Sequence, residues 1–388
     1  MMKQVYLDNN ATTALDARVW EAMLPYYRQD FGNASSIHGW GQRARAAVEE
    51  ARQKVADLIG ASSRDIVFTS GGTESDNTAL QGVVAAARSR GDHIITTVVE
   101  HPAVLRACDR LEENGLRITR LPVDPDGLVD VQRLEGAIDR ETILISVMHA
   151  NNEIGSIQPI REIASLARQR GVLFHTDAVQ SVGKIPVDVE SLGVDLLSLS
   201  AHKIHGPKGM GALYVRQAVE MTPLLYGGSQ ERSRRAGTEN VPGIVGLGVA
   251  CELAGQALED FDMGVCQLRD RLEEGILESI PHTLLNGGRT HRMPHVTNIS
   301  FRYVEGEALL ISLDFQGIAV STGSACSSGT LEPSSVILAI GRRGDAAQGA
   351  LRFSLSRMTR DEDIDYTLSI LGETVTRMRE LSPLPQRG

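Results

Sequence analysis

Lys203 follows the apolar run DLLSLSA and opens into KIHGPKG, a position where a charged amine is costly to bury. Desolvation there would lower its pKa and leave a nucleophilic amine, as a Schiff-base lysine requires. The plainer alternative is a lysine snorkelling from a strand end to water. SGGTES (70–75) places Gly72 and Thr73 at the mouth of a helix. Backbone N–H groups beside a hydroxyl make an anion cradle, although many such stretches are only turns. Neither this stretch nor GPKGMG (206–211) continues as Gly-Lys-Ser/Thr, so neither is a nucleotide-binding loop. Asp177 closes VLFHTDA, with Gln180 three residues on. It would cap a helix or hold a protonated heteroaromatic nitrogen. His101 in EHPAVL is either an internally satisfied histidine or a ring that stacks on a planar cofactor. His202 and His205 have no third clustered ligand, so they make no metal site.

Cys326 sits in STGSACSSG (321–329), composed like a flexible linker, with only Ala325 as an apolar neighbour. Cys108, Cys251 and Cys266 fall in helical, largely apolar patterns and read as core residues. The four cysteines show no CxxC spacing, which disfavours a disulfide framework or structural zinc. A net charge of −10 excludes the basic face of a nucleic-acid binder, and no apolar run is long enough to span a bilayer. MMKQVYLDNNATT has no charged-then-apolar leader pattern, so the expected compartment is a reducing cytoplasm where an exposed thiol stays free.

These residues need elements to hold them. From about residue 40 to 260 helical and strand-like segments alternate. DIVFTS, HIITTVV, RITRLPV, TILISVM, VLFHTDA and DLLSLSA read as buried strands. That alternation predicts an α/β fold whose mostly parallel sheet is covered on both faces, with ligands outside the carboxyl ends of its strands. Residues 15–260 form the expected large domain. Residues 1–14 and 261–388 form a small α+β domain carrying a loop at 320–335. Thr359 and Glu362 have capping-box spacing before a last helix. An anion cradle, an amine, an acid and an aromatic flank at the carboxyl ends of one sheet are together what pyridoxal 5′-phosphate needs.

YLDNNATT (6–13), FGNASSIH (31–38), FTSGGTESDN (68–77), VVEHPAVL (98–105), ANNEIG (150–155), FHTDAVQSVGK (174–184), SLSAHKIHGPKG (198–209), RRAGTEN (234–240) and STGSACSSGTLEPS (321–334) resemble the NifS/IscS class of cysteine desulfurases. Among these the NifS branch, associated with nitrogenase, is nearest in look. The resemblance implies a fold type I pyridoxal phosphate enzyme (class-V aminotransferase family) working as a homodimer. It implies that Lys203 carries the cofactor, Asp177 pairs with its ring nitrogen and His101 stacks on the ring. Gln180 and Asn152 would contact its phenolate edge or the substrate. Gly72, Thr73, Ser200 and His202 would hold the phosphate, with Thr238 reaching in from a second copy. Arg352 would grip the substrate carboxylate.

In that class L-cysteine becomes L-alanine, and the catalytic cysteine, here Cys326, takes the sulfur as a persulfide. The sulfur passes to an iron–sulfur scaffold or another acceptor protein, where Cys326 would also briefly ligate a shared cluster. A Gly/Ser-rich loop suits a thiol that must visit both cofactor and acceptor. The alternatives are a selenocysteine lyase or another β-eliminating pyridoxal enzyme, and a non-catalytic sulfur-transfer platform. A nicotinamide enzyme is set aside because no GxGxxG follows the first strand.

Overall fold

The computed structural model describes residues 3–258, 261–323 and 332–382. After the short β1 (Val5–Tyr6) come β2 (Ile66–Thr69), β3 (His93–Thr97), β4 (Arg117–Leu121), β5 (Thr142–Ser146), β6 (Leu173–Asp177), β7 (Leu196–Ser200) and β8 (Gly211–Val215). Strands β2 to β8 form one sheet in the order β2-β8-β7-β6-β5-β3-β4. Strands β3 to β7 are parallel, as the alternation of elements predicts. Strand β8 runs antiparallel to both β2 and β7, and the sequence reading had no strand there. Its apolar GALYV follows a glycine-rich stretch that reads as loop. A Cβ on Gly211 would stand 2.7 Å from Gly71 Cα and from Leu199 O, so glycine is what lets β8 enter between its neighbours.

Because β8 reverses direction between them, β2 points the same way as β7. The ends of β2, β3, β5, β6 and β7 (Thr69, Thr97, Ser146, Asp177 and Ser200) therefore share one edge. Alternate residues pack to opposite faces. Ile66, Phe68, Ile95, Phe174, Leu197 and Leu199 meet the helices Ala17–Arg28, Gly39–Leu58 and Val241–Gln256 in one core. Val67, Ile94, Leu144, Leu196 and Leu213 meet the helices Gly72–Ala87 and Pro102–Glu113 in another. Each fully buried Leu, Ile or Phe contributes roughly 1.5–3 kcal/mol, against about 1 kcal/mol for a typical hydrogen bond. The edge is thus fixed by core packing, and the polar groups along it are free to serve chemistry.

A separate core gathers Leu272, Ile276, Phe301, Leu309, Phe353, Ile364 and Leu371 with Val5 and Leu7 from the start of the chain. Strands β9 (Thr283–Leu285), β10 (Val296–Phe301) and β12 (Ala350–Ser354) form its antiparallel sheet, and β1 pairs in parallel with β11 (Ile318–Ala319). The last helix, Asp361–Leu381, starts one register later than the sequence signal. Arg360 N–H donates to Asp363 Oδ2, while Thr359 Oγ1 accepts from Ser356 N–H instead of capping the helix. Cys108 and Cys251 are buried, and burial pushes the Cys108 thiol up to about 12. Cys266 departs from the core reading: it is half-buried, and Arg269 Nη2 donates to its Sγ at 3.0 Å. Among the described residues, no helix is long and apolar enough to cross a membrane.

Candidate active site

The shared edge opens into a cleft of about 290 Å³. Asp177 ends β6, Ser200 ends β7, and a tight turn over Ala201–Lys203 brings Lys203 to the cleft floor. His101 caps the helix Pro102–Glu113 and faces the same space, as do Gly72, Thr73, Asn152, Gln180, His202 and Arg352. Gly72, Thr73, Ser200 and His202 also line an adjoining cavity of about 350 Å³, together with Lys208. Thr238 is not part of this assembly; it is exposed on the segment before the helix Val241–Gln256. Cys326 lies outside the described residues, with Gly323 at the cleft on one side of it and Ser334 on the other.

Lys203 Nζ donates to the backbone carbonyls of Asn10 at 2.5 Å and Ala11 at 2.8 Å. Burial raises the Asp177 carboxyl above the usual range, opposed by the charges of His101 and Lys203 and by a 2.9 Å bond from Val179 N–H. Burial pulls His101 down, with Lys203 adding to the effect and Asp177 opposing it. His101 Nδ1 accepts from Ala103 N–H at 3.1 Å, so the proton of the neutral ring sits on Nε2. Burial, with Lys203, Lys184 and Lys208 nearby, takes His202 down to about 4. Arg352 is buried: Nη1 donates to Asn152 O at 3.0 Å and Nη2 to Asp8 Oδ1 at 2.6 Å, while Nε–H has no partner.

Sequence reasoning missed four participants. Asn10 is a hub: its carbonyl receives Lys203 and, at 3.0 Å, Gln180 Nε2, and its Nδ2 donates to Asn152 O at 3.0 Å. Asp8 anchors Arg352. Both belong to DNN just after the first apolar residues, a polar cluster that was legible as a signal. Asp76 lies fully buried on the helix Gly72–Ala87, its carboxyl raised well above normal by burial and by Asp177, and its Oδ1, 3.7 Å from His175 Nε2, accepts no hydrogen bond among the described residues. Glu153 accepts from Ser334 Oγ at 2.5 Å, and a Cβ on Gly323 would stand 2.5 Å from its Oε2.

These residues fit pyridoxal 5′-phosphate. Ser200 Oγ is buried with no partner beside the helix start at Gly72. Gly71 holds φ +149° at the turn, a conformation that favours glycine. An unpaired hydroxyl, free helix-start N–H groups and His202 make a phosphate cradle. Asp177 lines the same cleft and suits a ring nitrogen, and Lys203 supplies the amine.

The class-V aminotransferase model matches residues 5–367. The chain is 52% identical over 386 residues to the cysteine desulfurase IscS of Dictyoglomus turgidum, covering 100% of this chain and 98% of that protein. It is 53% identical over 382 residues to the cysteine desulfurase IscS of Methanosarcina thermophila, covering 98% and 94%. A solved structure described as a NifS-like protein superposes with a TM-score of 0.92 at 40% identity, covering 97% of this chain and 100% of that one. A strand-edge cleft built for pyridoxal phosphate, the family model and full-length similarity agree, and the chain belongs to the class-V aminotransferase family, within its NifS/IscS-type cysteine desulfurases.

Proposed function

We propose that the chain is a pyridoxal phosphate-dependent cysteine desulfurase that converts L-cysteine to L-alanine and hands the sulfur to an acceptor protein for iron–sulfur cluster assembly. The observation that carries this reading is Lys203 opposite Asp177 and Arg352 in one cleft. When bound, the cofactor supplies an electron sink that stabilises negative charge at the substrate Cα. The residues 15–260 form the cofactor-binding unit, and 1–14 with 261–388 form the unit that carries Cys326. Two separate hydrophobic cores support that division.

Gly72, Thr73, Ser200 and His202 hold the phosphate. Asp177 would pair with the cofactor's ring nitrogen, and the neutral His101 would flank the ring. Arg352 binds the substrate carboxylate through Nε–H and an Nη hydrogen not spent on Asn152 or Asp8. Asn152 and Gln180 orient the reacting edge. Lys203, freed as an amine, removes the Cα proton and later returns one to the product carbon. Cys326 thiolate attacks the substrate sulfur, the Cβ–S bond breaks, and the persulfide leaves alanine behind. The atoms balance: Cys326–SH and cysteine become Cys326–S–SH and alanine.

Replacement of Arg352 by Lys is expected to raise KM for cysteine roughly 10- to 100-fold, the worth of a charge-assisted bidentate contact. The visible absorbance of the bound cofactor stays in place, since Arg352 acts on the substrate. Steady-state kinetics with a parallel absorbance scan checks both.

The exposed Thr238 and the apolar side chains Trp20, Tyr27, Phe31, Ile37, Trp40 and Tyr226 support a homodimer, with Thr238 completing the partner's phosphate site, and the same reading has the enzyme work in a reducing cytoplasm. The test of function is product identity. Holoenzyme given L-cysteine and a thiol reductant should release alanine and sulfide in equal amounts. Without reductant, a sulfur atom should remain on the peptide containing Cys326. Pyruvate and ammonia in place of alanine would assign a β-eliminating lyase instead.

A further inference from the structure

Lys184 is buried behind the cleft, and no step above uses it. Its Nζ lies 3.1 Å from Gln180 Oε1, 3.5 Å from Asn10 Oδ1 and 3.2 Å from His295 Nε2. Counting hydrogens decides what it is. Asn10 Nδ2 donates to Asn152 O at 3.0 Å, which fixes the amide, because a flipped amide would set carbonyl against carbonyl. Asn10 Oδ1 therefore faces His295 Nε2, at 2.7 Å. That distance needs a hydrogen between the two atoms, and only the imidazole can supply it. With Nε2–H given to Asn10, that nitrogen has no lone pair in the ring plane to accept from Lys184. Two acceptors remain around Nζ, matching the two hydrogens of a neutral amine. The third hydrogen of an ammonium would be driven against an N–H.

We propose that Lys184 is an uncharged amine and a positioning residue: it holds the side chains of Asn10 and Gln180, and through Asn10 the carbonyl that receives Lys203, without adding a cation to the site. The proposal rests on the reading that Lys203 carries the cofactor. The groups that face Lys184 act in the same direction. Burial and the charges of Lys203 and Arg352 all disfavour a proton on it. His295 is itself held neutral by burial and by the charges of Arg269 and Arg352. Lys203, His205 and Arg357, the last paired with Asp16 at 2.7 Å, line the small cavity beside Lys184, and no carboxylate lines it among the described residues. Lys203 must take up a proton during turnover, and a charged lysine behind it would repel that proton. A neutral one supplies hydrogen bonds at no such cost.

The first test is the pH dependence of the cofactor's visible absorbance in wild-type and Lys184→Met holoenzyme. Methionine removes the hydrogen bonds but no charge, so the midpoint is expected to move by less than about 0.3 unit. A rise of about one unit or more would mean that a cation had been removed, and would overturn the proposal. Loss of the band in wild type would instead mark failure of the Lys203 reading. The second test needs no variant, and a borohydride treatment that moves no lysine signal would mark failure of the Lys203 reading instead. The chain has five lysines (Lys3, Lys54, Lys184, Lys203 and Lys208), so lysine labelled with 13C at Cε gives a countable spectrum. Borohydride reduction moves the Lys203 signal and so identifies it. One further resonance at the neutral-amine position at pH 7 is the expected result. Ammonium shifts for all four remaining lysines would overturn the proposal.

Discussion

Lys203→Ala is expected to lower alanine formation by at least roughly 10³-fold and to abolish the visible colour that survives desalting. Two roles meet on one nitrogen. In the proposed mechanism Lys203 Nζ holds the cofactor and also moves the proton at Cα. No other lysine lines the cleft among the described residues, because Lys184 sits behind Gln180 and Lys208 opens onto the adjoining cavity. Excess cofactor should not restore the rate, since binding is only half of what is lost. Stability should change little: Lys203 Nζ makes two hydrogen bonds to carbonyls, each worth about 1 kcal/mol. Absorbance after desalting, alanine assay and thermal unfolding together separate a chemical loss from a folding one. A variant keeping more than about a tenth of wild-type turnover would leave Lys203 without its assigned role.

Cys326→Ala is expected to reduce both alanine and sulfide release to under about 1% of wild type while the protein stays coloured. The substitution removes the nucleophile that breaks the Cβ–S bond, and none of the cofactor's holders. Cys108 and Cys251 cannot replace it, because both are buried and burial pushes their thiols far above neutral. Cys266 does not line the cleft, and its Sγ is tied to Arg269 and Asp270. The decisive comparison is alanine per unit time at saturating cysteine, with the absorbance band as an internal control. Full-rate turnover by the variant would move the protein to the lyases, in which no enzyme-bound sulfur is formed.

The strand ends were legible because their signals are local. An unbroken apolar run ending in Asp177, Ser200 or the Lys203 turn shows both the strand and the direction in which its last side chain emerges. Period-two packing to the two faces then leaves only the carboxyl edge for chemistry. Asn10 and Lys184 were not legible for the opposite reason. Apart from the Lys184–Gln180 contact, their roles arise from hydrogen bonds between segments more than 100 residues apart, which no window of sequence contains. Strand β8 was hidden by the glycines that let it fit, since close approach of two backbones and a loop ask for the same residue. The capping signal at Thr359 and Glu362 failed by one position because Thr359 Oγ1 was already engaged by Ser356 N–H in the preceding turn.

The pairing of Val5–Tyr6 with Ile318–Ala319, and of Asp8 with Ser354, has a consequence for biosynthesis. The peptide that holds Lys203 leaves the ribosome first, yet its partners are made more than 300 residues later. A nascent chain can assemble the seven-stranded sheet, but Asn10 lacks two of its partners until His295 and Ser354 have been added. Contacts between such distant segments form slowly, because the loop they close is nearly the whole protein. The cleft is therefore completed late, once the two ends of the polypeptide have met.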